Sequence, residues 1–196
     1  MKNVQRASGV PLALFLVLLI VVSILGFNVG QYGDPDTYIG QSSAVKNYNY
    51  NPYGSNQLDR TRFLKAVEDS KAAYVAEAGA MFDHCVSMGC NAAAMFAFAE
   101  IESSHGKSDI ALNTKSPFNI RYLANNGFGN TSYKGFTKYT NYTDSTRHWV
   151  ALIMNYHRRG LTTFEQVIET YAPVADGNDV NAYKTKYVAI INRLMK

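Results

Sequence analysis

The chain has few charged residues and no dense run of basic ones. Asp, Glu, Lys and Arg make up 17% of its 196 residues, below the roughly 25% of an average globular protein. The 19 basic residues outnumber the 15 acidic ones by only four, and they are scattered along the chain. Because a nucleic-acid-binding surface needs clustered Lys and Arg, this pattern argues against nucleic acid as a partner.

Cysteine is scarce as well. The two cysteines, Cys85 and Cys90, stand close together in DHCVSMGCN. Their spacing, even with His84 beside them, matches no zinc pattern and leaves a fourth ligand missing. We therefore expect neither a metal nor another cofactor. In an oxidising compartment the two thiols could form a disulfide across a helix-to-helix turn; the alternative is a pair of buried free thiols.

One long apolar run lies near the N-terminus. Residues 10–27, VPLALFLVLLIVVSILGF, contain no charge. As a helix this run would extend about 27 Å, close to the roughly 30 Å hydrocarbon thickness of a bilayer. Lys2 and Arg6 precede it, as in a secretory signal peptide, but no A-x-A-like cleavage site follows and no lipobox cysteine is present. The run predicts an uncleaved transmembrane anchor.

The charges that flank this run predict its orientation. Lys2 and Arg6 precede it, and the first charges after it are Asp34 and Asp36. By the positive-inside rule, residues 1–9 stay in the cytoplasm and the bulk of the chain lies outside the membrane. We expect a single-pass membrane protein of a bacterial envelope or of a phage-carried membrane.

Composition divides the remainder into two parts. Residues 28–57 are rich in Gly, Asn, Ser, Tyr and Pro and show no helical or strand periodicity, which predicts a flexible linker. From Leu58 onward, apolar residues recur at helical spacing, beginning with Phe63 and Val67. Residues 58–196 are therefore predicted to form one folded domain.

This domain should be mostly helical. Gly89 is a stop signal, and Asn91 can cap AAAMFAFAEIES, residues 92–103. That stretch is apolar nearly all round, so it should be the buried central helix. Later helices should begin at three capping sites: Thr143 or Asp144, then a capping box of Thr162 and Glu165, then Asp179.

A short β-prone region interrupts the helices. FNIRY (residues 118–122) and TSYKGFTKY (residues 131–139) favour strands, and NNGFGN between them favours a turn. The predicted fold class is thus α+β and mostly helical, with a small β-hairpin lobe and one transmembrane helix in front.

Glu102 is the candidate for chemistry. It stands at the end of the apolar run in FAEIESSHGKSDIA, residues 98–111, and is followed by small residues and Gly106. Apolar neighbours disfavour the ionised carboxylate, which keeps a proton available for a sugar oxygen. On composition alone, a solvated glutamate at a helix end is the alternative.

Four stretches, in order, resemble the glucosaminidases of glycoside hydrolase family 73, the flagellar-hydrolase and autolysin group of lysozyme-like enzymes. ESSHGKSDIA is similar to the E-S-G-W-G-x-S-x-L-A signature, and SPFNIRY to N-L-F-G-I-K. FTKYTNYTDSTRHWVALI resembles F-R-x-Y-x-S-x-x-E-S-x-x-D-Y-x-x-L-L, and ETYAPVADGNDVNAY resembles T-Y-A-P-x-x-D-x-N-x-x-Y. Together they lie between residues 102 and 183.

The resemblance implies a lysozyme-like domain that cleaves the glycan strand of peptidoglycan. Glu102 takes the place of the catalytic acid, and Tyr171 that of a supporting tyrosine in the cleft. Further positions would bind substrate or shape the cleft: Ser103, His105, Phe118, Ile120 and Tyr139. Envelope or virion assembly proteins would be further partners.

Three departures from the family pattern bear on mechanism. His105 replaces a tryptophan, Ser116 and Asn119 replace the usual Asn and Gly, and residues 117–139 contain no Asp or Glu. Many relatives carry a second carboxylate in that lobe, so its absence favours one general acid, Glu102, assisted by the substrate's own N-acetyl group or 6-hydroxyl.

The other acidic residues have structural explanations. Asp144 and Asp176 resemble helix-start and loop positions of the family. Glu100 lies about 200° round the helix from Glu102, so the two cannot flank one bond. Two alternatives stay open: a lytic transglycosylase or muramidase of the same superfamily, or a lysozyme-like module that binds glycan or supports an assembly without cutting.

Overall fold

The computed structural model describes residues 48–124, 127–129 and 131–196. The predicted cytoplasmic segment, the predicted anchor at residues 10–27 and most of the predicted linker lie outside the described residues. Within the described ranges, no helix is both long enough and apolar enough to cross a bilayer.

The described part is mostly helical and contains one small antiparallel sheet, as the sequence predicts. The helices and strands have these bounds: α1 Arg60–Asp69, α2 Ala78–Ser87, α3 Ala92–Ser103, α4 Asp109–Thr114, β1 Thr131–Tyr133, β2 Phe136–Lys138, α5 Tyr142–Arg158, α6 Phe164–Tyr171 and α7 Val180–Met195. Short 3-10 turns precede α2 and α7, at Val75–Glu77 and Val174–Asp176.

Helix α3 is the centre of the domain. Every residue from Ala92 to Ala99 is buried, and α3 packs against α1, α2 and α7. Its first turn is capped by Asn91, whose side-chain oxygen accepts a hydrogen bond from the Ala93 amide at 3.0 Å. The prediction of a capped, buried central helix is confirmed. A helix that is apolar on every side leaves water only when other elements pack against each of its sides.

Two of the predicted capping sites are off by one to three residues. Helix α5 begins at Tyr142, with Asn141 as its cap. The capping box of α6 consists of Thr163 and Gln166, where the sequence favoured the preceding pair. Two consecutive threonines offer similar capping hydroxyls, and the helix uses that of Thr163, whose backbone is extended. Asp179 caps α7, as predicted.

The β-hairpin lies further along the chain than predicted. Strands β1 and β2 pair across Lys134 and Gly135, whose φ angles of 49° and 82° form the left-handed turn that short hairpins favour. FNIRY forms no strand; an isolated bridge between Arg121 and Phe136 joins it to the hairpin. Asn119, with φ of 48°, takes this segment out of the extended conformation.

The predicted linker ends earlier than residue 57. Tyr53 is buried and pairs with Cys90 in an isolated bridge. The Asn91 side chain donates to the carbonyl oxygens of Asn49 and Asn51, at 2.7 and 3.1 Å. Residues 48–57 therefore belong to the folded domain. Their backbone groups hydrogen-bond to the domain, whereas the backbone groups of a linker would hydrogen-bond to water.

Cys85 and Cys90 are free thiols, both completely buried. Gly89, with φ of 76°, ends α2 as predicted and turns the chain so that the Cys90 amide donates to the Cys85 carbonyl at 2.9 Å. Burial raises the pKa of the Cys85 thiol. Of the two alternatives for this pair, the structure holds the free thiols.

Candidate functional site

Glu102 lies in the last turn of α3, where the buried helix meets the surface. Ser104 ends the helix in the left-handed conformation, with φ of 51°, and its amide donates to the Glu100 carbonyl at 3.0 Å. The His105 amide donates to the Ala99 carbonyl at 2.9 Å. These two hydrogen bonds pair carbonyl groups in the last turn of α3 and reverse the direction of the chain. The Glu102 side chain is left partly exposed at the edge of the core.

A tyrosine that the sequence analysis did not single out holds this carboxyl. The hydroxyl of Tyr183, on α7, donates to Oε1 of Glu102 at 2.8 Å. Tyr183 is 8% exposed, so its ring is set by the packing of α7 against α3. The signal available in the sequence is the final tyrosine of ETYAPVADGNDVNAY, which ends the fourth stretch of the resemblance.

The environment of Glu102 favours the protonated form. Burial raises the pKa of Glu102 to about 7, and the hydrogen bond from Tyr183 partly opposes the increase. The carboxyl also lies at the negative end of the α3 dipole, which disfavours its ionised form further. At neutral pH the group is therefore divided between acid and carboxylate, the condition that a general acid needs.

Tyr171 lies near Glu102 but does not hydrogen-bond to it. Its hydroxyl donates to the carbonyl oxygen of Phe118, and its ring packs edge-on against Phe98, with centroids 4.9 Å apart. Burial and the nearby charge of Glu102 raise the pKa of Tyr171, so its phenol stays protonated. In this structure Tyr171 joins the end of α6 to the segment before the lobe.

Asn119 ties that same segment to the end of α3. Its side-chain nitrogen donates to the backbone carbonyl of Glu102 at 2.6 Å, while its side-chain oxygen is buried and has no hydrogen-bond partner. A buried acceptor without a partner costs about 1–3 kcal/mol. The sequence analysis noted Asn119 only as a departure from the family glycine.

Four of the predicted substrate-binding residues are part of the packed interior. Phe118 is fully buried and stacks on Trp149, at 5.1 Å between ring centroids. Ile120 is 7% exposed. Tyr139 is 5% exposed, and its hydroxyl shares a hydrogen bond of 2.7 Å with Nδ1 of His148. Side chains this enclosed offer little surface to a glycan.

Ser103 is the fourth of these residues. It is 3% exposed. Its hydroxyl lies 3.1 Å from the Ala99 carbonyl and 2.8 Å from the Pro117 carbonyl, and it accepts a hydrogen bond from the Gly106 amide at 2.8 Å. A hydroxyl that is buried and already has three polar partners is not available to a ligand.

His105 lies away from Glu102. It is 5% exposed; its Nε2 is 3.1 Å from Oε2 of Glu100, and its Nδ1 is 3.1 Å from the hydroxyl of Tyr74. The ring of His105, which the resemblance places among the substrate-binding residues, is enclosed between Tyr74 and Phe96.

Glu100 also hydrogen-bonds to the guanidinium of Arg193. With His105 and Arg193 as partners, Glu100 points away from Glu102, as its angle on the helix predicts.

The remaining candidate carboxylates have other partners. Asp144 pairs with Arg147 at 3.2 Å, and Asp176 with Arg121 at 3.8 Å. Among the described residues, no group of three or more His, Cys, Asp and Glu side chains could hold a metal ion. The site thus consists of one carboxyl with a raised pKa, two tyrosines and an asparagine.

No protein-family profile, no curated protein and no solved structure matches this chain.

Proposed function

We propose that this protein is a peptidoglycan hydrolase that cleaves the glycan strand with Glu102 as its single general acid. The observation that carries the proposal is the carboxyl itself. It has a pKa of about 7, it receives a hydrogen bond from Tyr183, and it lies at the partly exposed end of a buried helix. A proton donor to a sugar oxygen needs these properties.

The chemistry would proceed by acid catalysis at the glycosidic bond. The free oxygen of the Glu102 carboxyl donates its proton to the leaving sugar oxygen as the bond from the anomeric carbon to that oxygen breaks. The anomeric carbon develops positive charge, which the substrate's own N-acetyl oxygen or 6-hydroxyl relieves by forming a new bond. In the N-acetyl route, water then attacks the anomeric carbon, the bond to the N-acetyl oxygen breaks, a water proton returns to the Glu102 carboxylate, and a reducing end results. In the 6-hydroxyl route, the hydroxyl proton returns to the Glu102 carboxylate and the product keeps a 1,6-anhydro end.

Tyr183 has a defined part in this scheme. Its hydroxyl donates to Oε1 whether Glu102 is protonated or ionised, and the bond is stronger to the carboxylate. The carboxylate that remains after proton donation is therefore stabilised without any movement of α7. Tyr171 supports the site by fixing the backbone at Phe118, next to the Asn119 that holds the carbonyl of Glu102.

Backbone geometry supports the family resemblance behind this proposal. Ser104 and Asn119 stand where the family signatures have glycine, and both take positive φ angles, 51° and 48°. Gly106 stands on a family glycine and has φ of 80°. Positive φ is the conformation for which glycine is usually selected, and Asn tolerates it better than most residues.

The same proposal includes the location of the enzyme. Residues 10–27 would anchor it as a single-pass membrane protein, with residues 1–9 in the cytoplasm and the domain facing the cell wall. The anchor would confine wall cleavage to one place, as a bacterial envelope machine or a phage that breaches the wall requires. Its partners would be peptidoglycan and the proteins of such an assembly.

A second candidate is a lysozyme-like module that binds glycan without cutting it. Two observations favour it: His105 is enclosed where the family has an aromatic platform, and the acidic candidates Asp144 and Asp176 are engaged in ion pairs.

Digestion of purified peptidoglycan by the full chain in detergent separates the two functions. We expect the parent to release muropeptides and Glu102→Gln to lose at least about 10²-fold in rate. Glu100→Gln is the matched control, since it changes a carboxyl on the same helix, two residues away. A reducing or a 1,6-anhydro end in the released fragments, read by mass spectrometry, distinguishes a glucosaminidase from a lytic transglycosylase. A folded parent that pellets with the wall but releases nothing would replace the enzyme with the binding module.

A further inference from the structure

A charged cleft lies on the side of α3 that faces away from Glu102. It has a volume of about 650 Å³ and is formed by α1, α3, α7 and the loop after α3. Glu100 lines it, and Glu100 points about 200° away from Glu102 on the helix. Its charged lining residues are Arg62, Lys65, Asp69, Glu100, Lys107 and Arg193.

Positive charge exceeds negative charge in this cleft. Four of the lining side chains are cationic and two are carboxylates. Lys65 pairs with Asp69 at 2.8 Å, and Arg193 pairs with Glu100.

Arg62 and Lys107 have neutral partners instead. Arg62 donates to the carbonyl of Met195 at 3.3 Å, and Lys107 donates to the carbonyl of Ser70 at 2.9 Å. The cleft therefore carries two positive charges that its own carboxylates do not balance, and a concave surface concentrates their field.

We propose that this cleft binds a phosphate monoester. A dianion matches the excess of two positive charges, which a single carboxylate would balance only by half. Arg62 and Arg193 can each present two parallel N–H donors to phosphate oxygens, and Lys107 adds a point charge. Phe96 and Leu194 also line the cleft, so the part of the ligand beyond the phosphate would contact apolar surface.

Glu100 competes with such a ligand for Arg193. The Arg193 guanidinium hydrogen-bonds to Glu100, so an incoming phosphate must share it or draw it away. Removal of the Glu100 charge should therefore strengthen phosphate binding, whereas removal of Arg62 or Arg193 should weaken it. A shared anion site therefore predicts that the Glu100 and Arg193 variants change phosphate affinity in opposite directions. An ion pair with a structural role alone does not predict this difference.

Calorimetric titration of the full chain in neutral detergent tests the proposal. The two probes are glycerol 3-phosphate and lysophosphatidic acid, which carry the same phosphate monoester as a soluble molecule and as a lipid headgroup. We expect saturable binding of at least one of them, weakened at least about tenfold in Arg62→Gln and in Arg193→Gln and strengthened several-fold in Glu100→Gln. The tighter of the two probes identifies the source of the phosphate.

Two controls make the result decisive. Lys184→Gln removes a cation that pairs with Glu169 on another face of α7 and should leave binding unchanged. Glu102→Gln should also leave it unchanged, which keeps this site independent of the proposed hydrolase. Arg62 makes no ion pair with any other described residue, so its variant should fold normally. If neither probe binds saturably, or if Arg62→Gln and Arg193→Gln bind as the parent does, the proposal is overturned.

Discussion

The hydroxyl of Tyr183 donates to Oε1 of Glu102 across 81 positions of sequence, at a distance of 2.8 Å. This one bond joins the central helix α3 to the last helix α7. It holds the carboxyl in place at the edge of the core and lowers a pKa that burial has raised. The proposed chemistry depends on that balance between desolvation and hydrogen bonding.

Tyr183→Phe should raise the pKa of Glu102 further and reduce activity. The variant keeps the ring but leaves the carboxylate without its donor, and a hydrogen bond to a charged group contributes about 1.5–3 kcal/mol, or roughly 10–150-fold in rate. The pH–rate profile of peptidoglycan digestion should show both the loss and an alkaline limb displaced to higher pH. Tyr187→Phe is the control, because that buried tyrosine on the same helix donates to the Tyr50 carbonyl instead. An unchanged profile in Tyr183→Phe would contradict the assigned bond.

Glu102→Gln should stabilise the domain at alkaline pH while it abolishes catalysis. The folded carboxyl has a pKa of about 7 against 4.5 for an ordinary glutamate, so the folded state binds this proton more tightly than the unfolded state does. The parent's free energy of unfolding therefore falls as pH rises from about 4.5 to about 7, by up to about 3 kcal/mol. Urea unfolding of both proteins at about pH 4 and about pH 8 measures the effect. At each pH the contributions of the other titratable groups cancel in the difference between parent and variant. If parent and variant differ in free energy of unfolding by the same amount at both pH values, the pKa of Glu102 is not raised.

Asp144→Asn and Asp176→Asn should each leave activity within about twofold of the parent. Asp144 pairs with Arg147, and Asp176 pairs with Arg121, both at the surface, where such pairs contribute about 0–1 kcal/mol to stability. Initial rates of peptidoglycan digestion, with circular dichroism to verify folding, check this. If either folded variant loses activity as Glu102→Gln does, the mechanism has a second carboxylate.

The sequence predicts those features that depend on neighbouring residues. The apolar run of α3 and the cap at Asn91 are local patterns, so the position of Glu102 at the end of a buried helix follows from them. The bond from Tyr183 depends on how two distant helices pack, and no local pattern encodes it.

His105 shows the limit of transferring a role by motif alone. The resemblance gives it a place among the substrate-binding residues, yet Tyr74 and Glu100 hold its ring inside the fold. The hairpin shows a limit of another kind. FNIRY has the composition of a strand, but the left-handed residue Asn119 and the turn at Lys134 and Gly135 determine which segments pair.

Residues 48–57 have the composition of a linker and the contacts of a core segment, which gives a further prediction. Tyr53→Ala should destabilise the domain by about 3 kcal/mol, because it empties a buried aromatic site and removes a hydrogen bond to the Leu161 carbonyl. The ring of Tyr53 also lies 4.1 Å from that of His157, so the lost contacts reach α5. Urea unfolding of the full chain, followed by far-UV circular dichroism, measures the change. If the linker prediction holds for residues 28–47, which lie outside the described residues, Tyr38→Ala should stay within about 0.5 kcal/mol of the parent. Equal unfolding midpoints for Tyr53→Ala and the parent would return this segment to the linker, because a tyrosine that packs against nothing can be removed without cost.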